Sequence, residues 1–317
     1  MTGVCNFPMW TSPTGNILDY AYNSHQEIPR ILEDFANHCV AAAQQDVKYC
    51  QLANLSLNAT NPGADVLQRM NYVIGNLTTN TYHDNTANAT VSLFSLASIV
   101  RSGLMSPDYF PSLAQYFLDA EKLIQNQQPT NAVNEVAQVD DNPIPTDPAT
   151  DSNANVSTTG WNRNDPLTGA GNAFVFPAVT CLDMSIKGIN TTETFVDYIS
   201  NQINTGNPLV GYEGVSFAQC LSWPNLSSYD VERITSPFPK SLKNKVLVVG
   251  VTDDPVTSYP DALATYNMMG SDNANFLVHE GFGHCTVSDP NNCTWNNLIG
   301  YFVNGNPPYH SPCCHPI

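Results

Sequence analysis

An acid and a histidine follow two apolar stretches of the sequence. Residues 246–249 (VLVV) lead into Asp253 and Asp254, and residues 276–278 (FLV) lead towards His284. Unbroken aliphatic runs of this length are typical of strands that are covered on both faces of a parallel sheet. The carboxyl ends of neighbouring parallel strands meet at one edge of the sheet. We therefore expect one of these aspartates and His284 to meet there, as the acid and the base of a Ser–His–acid triad.

A serine for such a triad is harder to place. In α/β-hydrolases the nucleophile follows a strand and precedes a helix, within a G-x-S-x-G sequence. Only residues 214–218 (GVSFA) come close, but no apolar strand precedes them, and Cys220, Trp223 and Pro224 follow where a helix should begin. We interpret Ser216 as part of a connecting segment, and we expect the nucleophile to lie outside the chain.

The charge balance argues against several classes of partner. The chain of 317 residues has 11 basic and 28 acidic side chains, a formal net charge of −17. Nucleic acids and anionic membrane surfaces are disfavoured, because both require clustered basic residues. No apolar run has the length of a membrane-spanning helix, and we expect no cofactor and no metal. Cys313, Cys314, His310 and His315 resemble a metal cluster only faintly, since adjacent cysteines fit disulfides better.

The cysteines and glycosylation motifs favour a secreted glycoprotein. Nine cysteines are present, and we expect disulfides among Cys39 and Cys50, Cys181 and Cys220, and the C-terminal group Cys285, Cys293, Cys313 and Cys314. The odd number leaves Cys5 unpaired. Eight N-x-S/T motifs begin at Asn54, Asn58, Asn76, Asn88, Asn155, Asn190, Asn225 and Asn292, so we also expect N-glycans. Buried free thiols in a cytosolic protein are the alternative.

The first residues do not read as a signal peptide. The segment MTGVCNFPMW has no basic region, no apolar core and no cleavage site. A secreted protein needs a signal peptide to enter the pathway. We therefore expect the signal peptide to lie on residues upstream of this chain.

The periodicity divides the chain into three parts. Residues 1–24 read as the end of a strand and a loop, residues 25–172 as a helical cap, and residues 173–317 as the last strands and crossover helices of an α/β core. Within the cap, residues 126–165 are poor in apolar side chains and are predicted to be a long mobile loop. Helices are predicted over residues 28–50, 62–72, 91–100, 107–125, 192–204, 260–269 and 295–303, and further strand character over 173–182.

The motifs resemble those of a known family. GVTDDPVT at residues 250–257, GFGHC at 281–285 and YFVNGNPP from Tyr301 resemble the TAP-like serine peptidases, secreted α/β-hydrolases related to tripeptidyl and prolyl aminopeptidases. The opening TGVCNFP resembles the segment that follows the family's nucleophile elbow, and the FANHC pattern from Phe35 resembles the start of its cap. The fold class implied is an incomplete α/β-hydrolase fold with a helical cap.

The resemblance implies roles for individual residues. The family's acid corresponds to Asp254, and its histidine corresponds to His284, whereas Asp253 occupies a variable position. A residue before proline is held in an extended conformation, which fixes the direction of the Asp254 carboxylate. Gly281 and Gly283 allow the loop to turn tightly towards the strand ends. Considered separately, a turn-forming aspartate and an ordinary loop histidine remain the alternatives.

The implied activity is that of an exopeptidase. It would release residues or short peptides from peptide N-termini, with a peptide or small ester as substrate. This chain alone would be inactive, because the serine and one oxyanion donor lie elsewhere. Two alternatives stay open: a secreted glycoprotein of the same fold that has lost its catalytic serine, and a module that binds carbohydrate or peptide through the cap.

Overall fold

The computed structural model describes residues 4–11, 15–85, 89–127, 129–131, 179–183, 186, 188–189, 191–221, 241–305 and 313–314. The helices are α1 (Phe7–Thr11), α2 (Ile17–Ser24), α3 (Ile28–Gln45), α4 (Pro62–Leu77), α5 (Leu93–Gly103), α6 (Phe110–Asn126), α7 (179–183), α8 (Thr192–Thr205), α9 (Pro208–Tyr212), α10 (Tyr259–Met269) and α11 (Asn292–Asn304). The strands are β1 (Asn80–Asp84), β2 (Ala89–Val91), β3 (Thr130–Asn131), β4 (Val246–Asp253), β5 (Ala274–Phe282) and β6 (Cys313–Cys314). The expected α/β class, with parallel strands and a helical unit, is confirmed.

The helical unit from α3 to α6, called the cap below, closes around its own apolar core. On α3, residues Ile28, Ile31, Phe35 and Cys39 recur at three- and four-residue spacing and are all buried. Caps set where the helices begin: the Asn61 side chain accepts a hydrogen bond from the N–H of Ala64 at the start of α4, directly before a proline. The helices predicted in this region are therefore present, with ends shifted by a few residues.

The cap also contains strands that the sequence pattern did not indicate. β1 pairs with β2 and with β3 in antiparallel register, so the expectation of an all-helical unit is wrong here. Burial of Tyr82 accounts for strand β1, because the Tyr82 side chain lies in the core of the cap while its neighbours along β1 are less buried. β3 falls at the start of the predicted mobile loop, and the rest of residues 132–165 lies outside the described residues.

Residues 1–24 also differ from expectation. Where they are described, they form helices α1 and α2 rather than the end of a strand and a loop. The Asn16 side chain caps α2 by accepting a hydrogen bond from the N–H of Leu18. Ile17 and Leu18 then pack against Phe195 and Ile199 of α8, a contact between distant segments that local periodicity cannot reveal.

The strand expected over residues 173–182 is not confirmed. Residues 179–183 form the helix α7, and residues 173–178 lie outside the described residues. Cys181 forms a disulfide with Cys220 in the 3₁₀ helix Glu213–Leu221, so this helix is tied to the connecting segment. The disulfides Cys39–Cys50 and Cys293–Cys314 are also present, whereas Cys5, Cys285 and Cys313 are free.

The candidate site rests on two parallel strands. β4 and β5 pair from Val246 opposite Ala274 onwards, with a register shift before Asp253. α10 connects the strands and packs on one face of the pair, and α11 packs on the other face. Because both faces are covered, the strands are almost continuously apolar, and their carboxyl ends meet where β4 gives way to Asp254.

Candidate active site

Asp254, the first residue after β4, is held in one orientation by its neighbours. Its Oδ1 accepts hydrogen bonds from the N–H groups of Val256 (2.9 Å) and Thr257 (2.8 Å). Its Oδ2 accepts hydrogen bonds from the Thr257 hydroxyl (2.8 Å) and from the N–H of Cys285 (3.1 Å). The residue is only 1% exposed, so these donors replace water around a buried carboxylate.

The structure brings His284 against this carboxylate. The His284 Nδ1 atom lies 3.1 Å from Oδ1 and 3.2 Å from Oδ2 of Asp254. With a carboxylate as its partner, Nδ1 carries a proton and donates it, so Nε2 is the ring atom available to a nucleophile. The His284 side chain is 29% exposed, against 1% for the carboxylate, so the ring is accessible while its partner is not.

The pair shifts both proton affinities. The hydrogen bond that His284 donates to Asp254, assisted by the Cys285 side chain, raises the pKa of His284 to about 10. Burial opposes the ionisation of Asp254, but His284 and the surrounding N–H groups hold the pKa of this carboxyl below its usual value. Each group therefore stabilises the charged form of the other.

The cap fixes the loop that carries His284. The N–H of His284 donates a hydrogen bond of 2.8 Å to the carbonyl of Met105, in the segment after α5. Gly283 precedes it with φ +99°, and a Cβ built there would lie 2.4 Å from the same Met105 oxygen. Glycine is thus required both by the backbone angle and by the close approach of the cap.

The side chain of Asp253 contacts the cap rather than His284. Its Oδ1 accepts a hydrogen bond of 2.8 Å from Nη1 of Arg30 on α3, and Nη2 of Arg30 binds the carbonyl of Thr252 at 2.6 Å. Burial raises the pKa of Asp253 although Arg30 acts in the opposite direction. Of the two adjacent aspartates, one therefore contacts the cap and the other contacts the histidine, as the sequence predicted for Asp254.

Cys285 corrects an expectation. It is not in a disulfide, and it is the only described residue other than glycine with a positive φ, at +68°. This backbone turn directs its N–H to Asp254. Its sulfur, a His284 nitrogen and an Asp254 oxygen lie within 4.8 Å of one another, the one such group among the described residues. Both oxygens already accept hydrogen bonds, so the group suits a hydrogen-bonded pair better than a metal ion.

No described serine completes the arrangement. Ser216 is exposed in the 3₁₀ helix Glu213–Leu221 and does not lie on a strand-to-helix turn. Over the described ranges, no serine hydroxyl is hydrogen-bonded to the imidazole of His284; Ser288 binds its backbone carbonyl instead. His279 lies inside β5 and is fully buried. Trp223, His310 and His315 lie outside the described residues.

Sequence reasoning missed three contributors to the site. Thr257 donates two of the hydrogen bonds to Asp254, Met105 binds the His284 loop, and Arg30 binds the neighbouring aspartate. Only Thr257 left a signal: an aspartate followed three residues later by threonine is a pattern for side-chain hydrogen bonds within a turn. Contacts from the cap cross more than a hundred residues and have no local signature.

Comparison with known proteins places the region that carries this site. Residues 208–314 match the family model described as TAP-like protein. These residues are similar to the TAP-like domains of the α/β-hydrolase class. This domain contains β4, β5 and both members of the Asp254–His284 pair, and it confirms the predicted resemblance.

The matched relatives are also named as hydrolases or esterases. A stretch of 99 residues is 30% identical to Carboxylesterase B of Mycobacterium tuberculosis, in strains CDC 1551 / Oshkosh and H37Rv. A Mycobacterium bovis protein described as a hydrolase matches to the same extent. The stretch is 31% of this chain and 17% of each relative, so the match spans less than a fifth of the relatives' length.

Other observations bear on the expected compartment. None of the described helices combines the length and apolar character needed to cross a bilayer. Three disulfides are formed. Of the predicted glycosylation sites that fall within the described ranges, Asn54, Asn58 and Asn292 are exposed and Asn76 is partly exposed. Asn88, Asn155, Asn190 and Asn225 lie outside the described residues.

Proposed function

We propose that this chain supplies the acid and the general base of a serine hydrolase, Asp254 and His284. The observation that carries the proposal is the 3.1 Å contact between Nδ1 of His284 and Oδ1 of Asp254 at the carboxyl ends of two adjacent parallel strands. The buried carboxylate orients the ring and stabilises the imidazolium. In the neutral form of the ring, Nε2 takes the proton of a serine hydroxyl and returns it to the leaving group.

The proposal includes a serine outside this chain, on a segment that precedes Asp254 in the order Ser–Asp–His. It also includes an exopeptidase specificity for residues or short peptides at peptide N-termini, with small esters as further substrates. The relatives named as carboxylesterases support ester cleavage by such a site. The disulfides and exposed glycosylation motifs support a secreted protein that works in an oxidising compartment.

The test uses the longest natural polypeptide that contains these 317 residues. Its hydrolysis of p-nitrophenyl acetate and of an aminoacyl p-nitroanilide is measured in the wild type, in Asp254→Asn and in His284→Gln. Loss of the triad aspartate lowers kcat by roughly 10⁴-fold and loss of the histidine by roughly 10⁶-fold, so the two variants should fall by those orders. Asp253→Asn and His279→Gln are the matched controls and should retain the rate of a folded enzyme.

Two outcomes would contradict the proposal. Full activity in His284→Gln would show that His284 is not the general base. Fluorophosphonate labelling of Ser216 would show that the nucleophile lies inside the chain. A polypeptide in which no serine is labelled and no substrate is cleaved would favour the inactive glycoprotein of the same fold. The lack of a described serine at the imidazole of His284 is the observation that keeps this second function in view.

A further inference from the structure

A cleft of about 740 Å³ opens between the cap and the ends of β4 and β5. It is bordered by α3 and by the start of α6 on the cap side, and by residues 252–253 and 280–282 on the strand side. His284 does not line it. A volume of this size suits a small organic ligand, since such pockets measure roughly 300–1,000 Å³.

The apolar wall of the cleft is already assembled. Phe35 and Phe110 meet edge to face with ring centroids 5.1 Å apart, Phe110 and Phe282 do so at 5.3 Å, and His38 meets Phe282 at 4.8 Å. Each ring is held by the next, so a ligand need not order this wall when it binds. Aromatic faces of this kind attract an apolar body and also a cation above the ring.

Most of the charged side chains that line the cleft are acidic. Four carboxylates line the cleft, those of Asp34, Asp253, Glu280 and Asp289, against a single guanidinium, that of Arg30. Arg30 contacts both Asp34 and Asp253 at 2.8 Å. An anionic ligand would meet this excess of negative charge, whereas a cation would be attracted to it.

Asp289 is the carboxylate that the backbone positions best. Its Oδ2 accepts a hydrogen bond of 3.1 Å from the N–H of Phe282. Gly281 lies beside it, and a Cβ there would approach Oδ2 of Asp289 to 2.7 Å and Nε2 of His279 to 2.8 Å. Glycine at this position keeps the space next to the carboxylate clear of a side chain.

We infer that this cleft binds an organic cation: a primary ammonium group on an aromatic body, with the ring against Phe110 and Phe282 and the ammonium at Asp289. The inference goes beyond the proposed hydrolysis and does not need His284. Binding and catalysis can therefore fail independently.

Benzylammonium is the probe, and the amide signals of Gly281 and Phe282 in ¹H–¹⁵N spectra of the 317-residue chain are the readout. Benzylammonium should shift these signals in a saturable way. Benzyl alcohol, which has the same ring and no charge, should bind at least fivefold more weakly, and phenylacetate should not bind. Raising the NaCl concentration from 10 to 500 mM should weaken the binding of benzylammonium but not that of benzyl alcohol, because salt screens the charge interaction.

Asp289→Asn should weaken the binding of benzylammonium at least fivefold. The asparagine side chain retains an oxygen that can accept the hydrogen bond from the N–H of Phe282. Asp34→Asn, on the more exposed wall, should weaken the binding of benzylammonium about twofold, and it provides a second test if Asp289→Asn does not fold. Asp272→Asn, an exposed carboxylate before β5, is the control and should change nothing, and His284→Ala should also leave binding unchanged. Equal binding of benzyl alcohol, or unchanged binding in both cleft variants, would overturn the inference.

Discussion

Two histidines lie five residues apart, one inside β5 and one in the loop after it, and their surroundings differ. His279 is fully buried, and its Nδ1 lies 2.7 Å from the Thr294 hydroxyl and 3.3 Å from the Asn291 amide nitrogen. The oxygen of the Asn291 side chain accepts the N–H of Thr294, so its NH₂ group faces the ring and donates to Nδ1. His284 instead donates from Nδ1 to a carboxylate.

The difference shows that the charge of the partner matters more than the residue type. Burial lowers the pKa of His279, and the opposing effect of the nearby Asp289 does not offset the cost of burying a positive charge. The carboxylate of Asp254 raises the pKa of His284. One ring is therefore a neutral structural element that joins β5 to α11, and the other can take up a proton.

The largest expected effect concerns the loop that separates the two rings. Gly283→Ala should lower the free energy of unfolding by about 3 kcal/mol, since alanine is strained at φ +99° and its Cβ would meet the Met105 oxygen. Urea denaturation measures the loss.

Gly300→Ala is the control for this substitution. Gly300 lies inside α11, where a built Cβ has no neighbour within 4 Å, so alanine should stabilise the helix by up to about 1 kcal/mol. Equal effects at positions 283 and 300 would mean that the cap does not hold the His284 loop.

The second-largest effect is expected when the negative charge of Asp254 is removed. In Asp254→Asn the pKa of His284 should fall from about 10 towards the ordinary value near 6.5, and the free energy of unfolding should decrease by about 2 kcal/mol. A pH titration of the histidine ring signals by NMR gives the pKa. Asp253→Asn removes the neighbouring carboxylate and should leave the pKa of His284 in place.

The pair also makes stability depend on pH with a definite sign. The raised pKa of His284 means that its contribution is complete below about pH 6.5 and is lost as the pH rises towards about 10. The lowered pKa of Asp254 means that its contribution is complete above about pH 4 and is lost in more acidic solution. The stability difference between the wild type and Asp254→Asn should therefore be greatest between these limits. A difference that is constant from pH 5 to pH 10 would contradict the pairing.

The smallest effect is expected at the buried histidine. Thr294→Val keeps the shape of the side chain but removes the hydroxyl at Nδ1 of His279, which should cost about 1 kcal/mol in unglycosylated protein. Thr294→Ser retains the hydroxyl and should recover most of this loss. Neither change should move the pKa of His284; if one does, the two rings are coupled and the contrast between them is wrong.

The sequence predicted the elements whose signals are local. Helices α3, α4, α6, α8, α10 and α11 and strands β4 and β5 follow from apolar spacing, caps and unbroken apolar runs. Two of the disulfides were expected as pairs. Elements that depend on distant partners were missed: α2 packs on α8, β1 inserts Tyr82 into the cap, and α7 is tied to Cys220.

The apolar core of the cap includes side chains from outside α3 to α6. Leu209 and Val210 of α9 and Phe282 of β5 belong to the apolar core of the cap, although their sequence positions fall in the predicted α/β core. Burial is shared between segments that are far apart in the chain, so composition alone does not divide the two.

By itself, the sequence determined that an aspartate and a histidine follow two buried parallel strands, because an unbroken apolar run ending in a polar turn is a local signal. Only the tertiary structure decided that Asp253 contacts Arg30, that Cys285 remains a free thiol beside the ring, and that Met105 and Arg30 connect the cap to the strand ends. Those outcomes depend on side-chain direction and on backbone groups from distant segments, which meet only once both cores have closed.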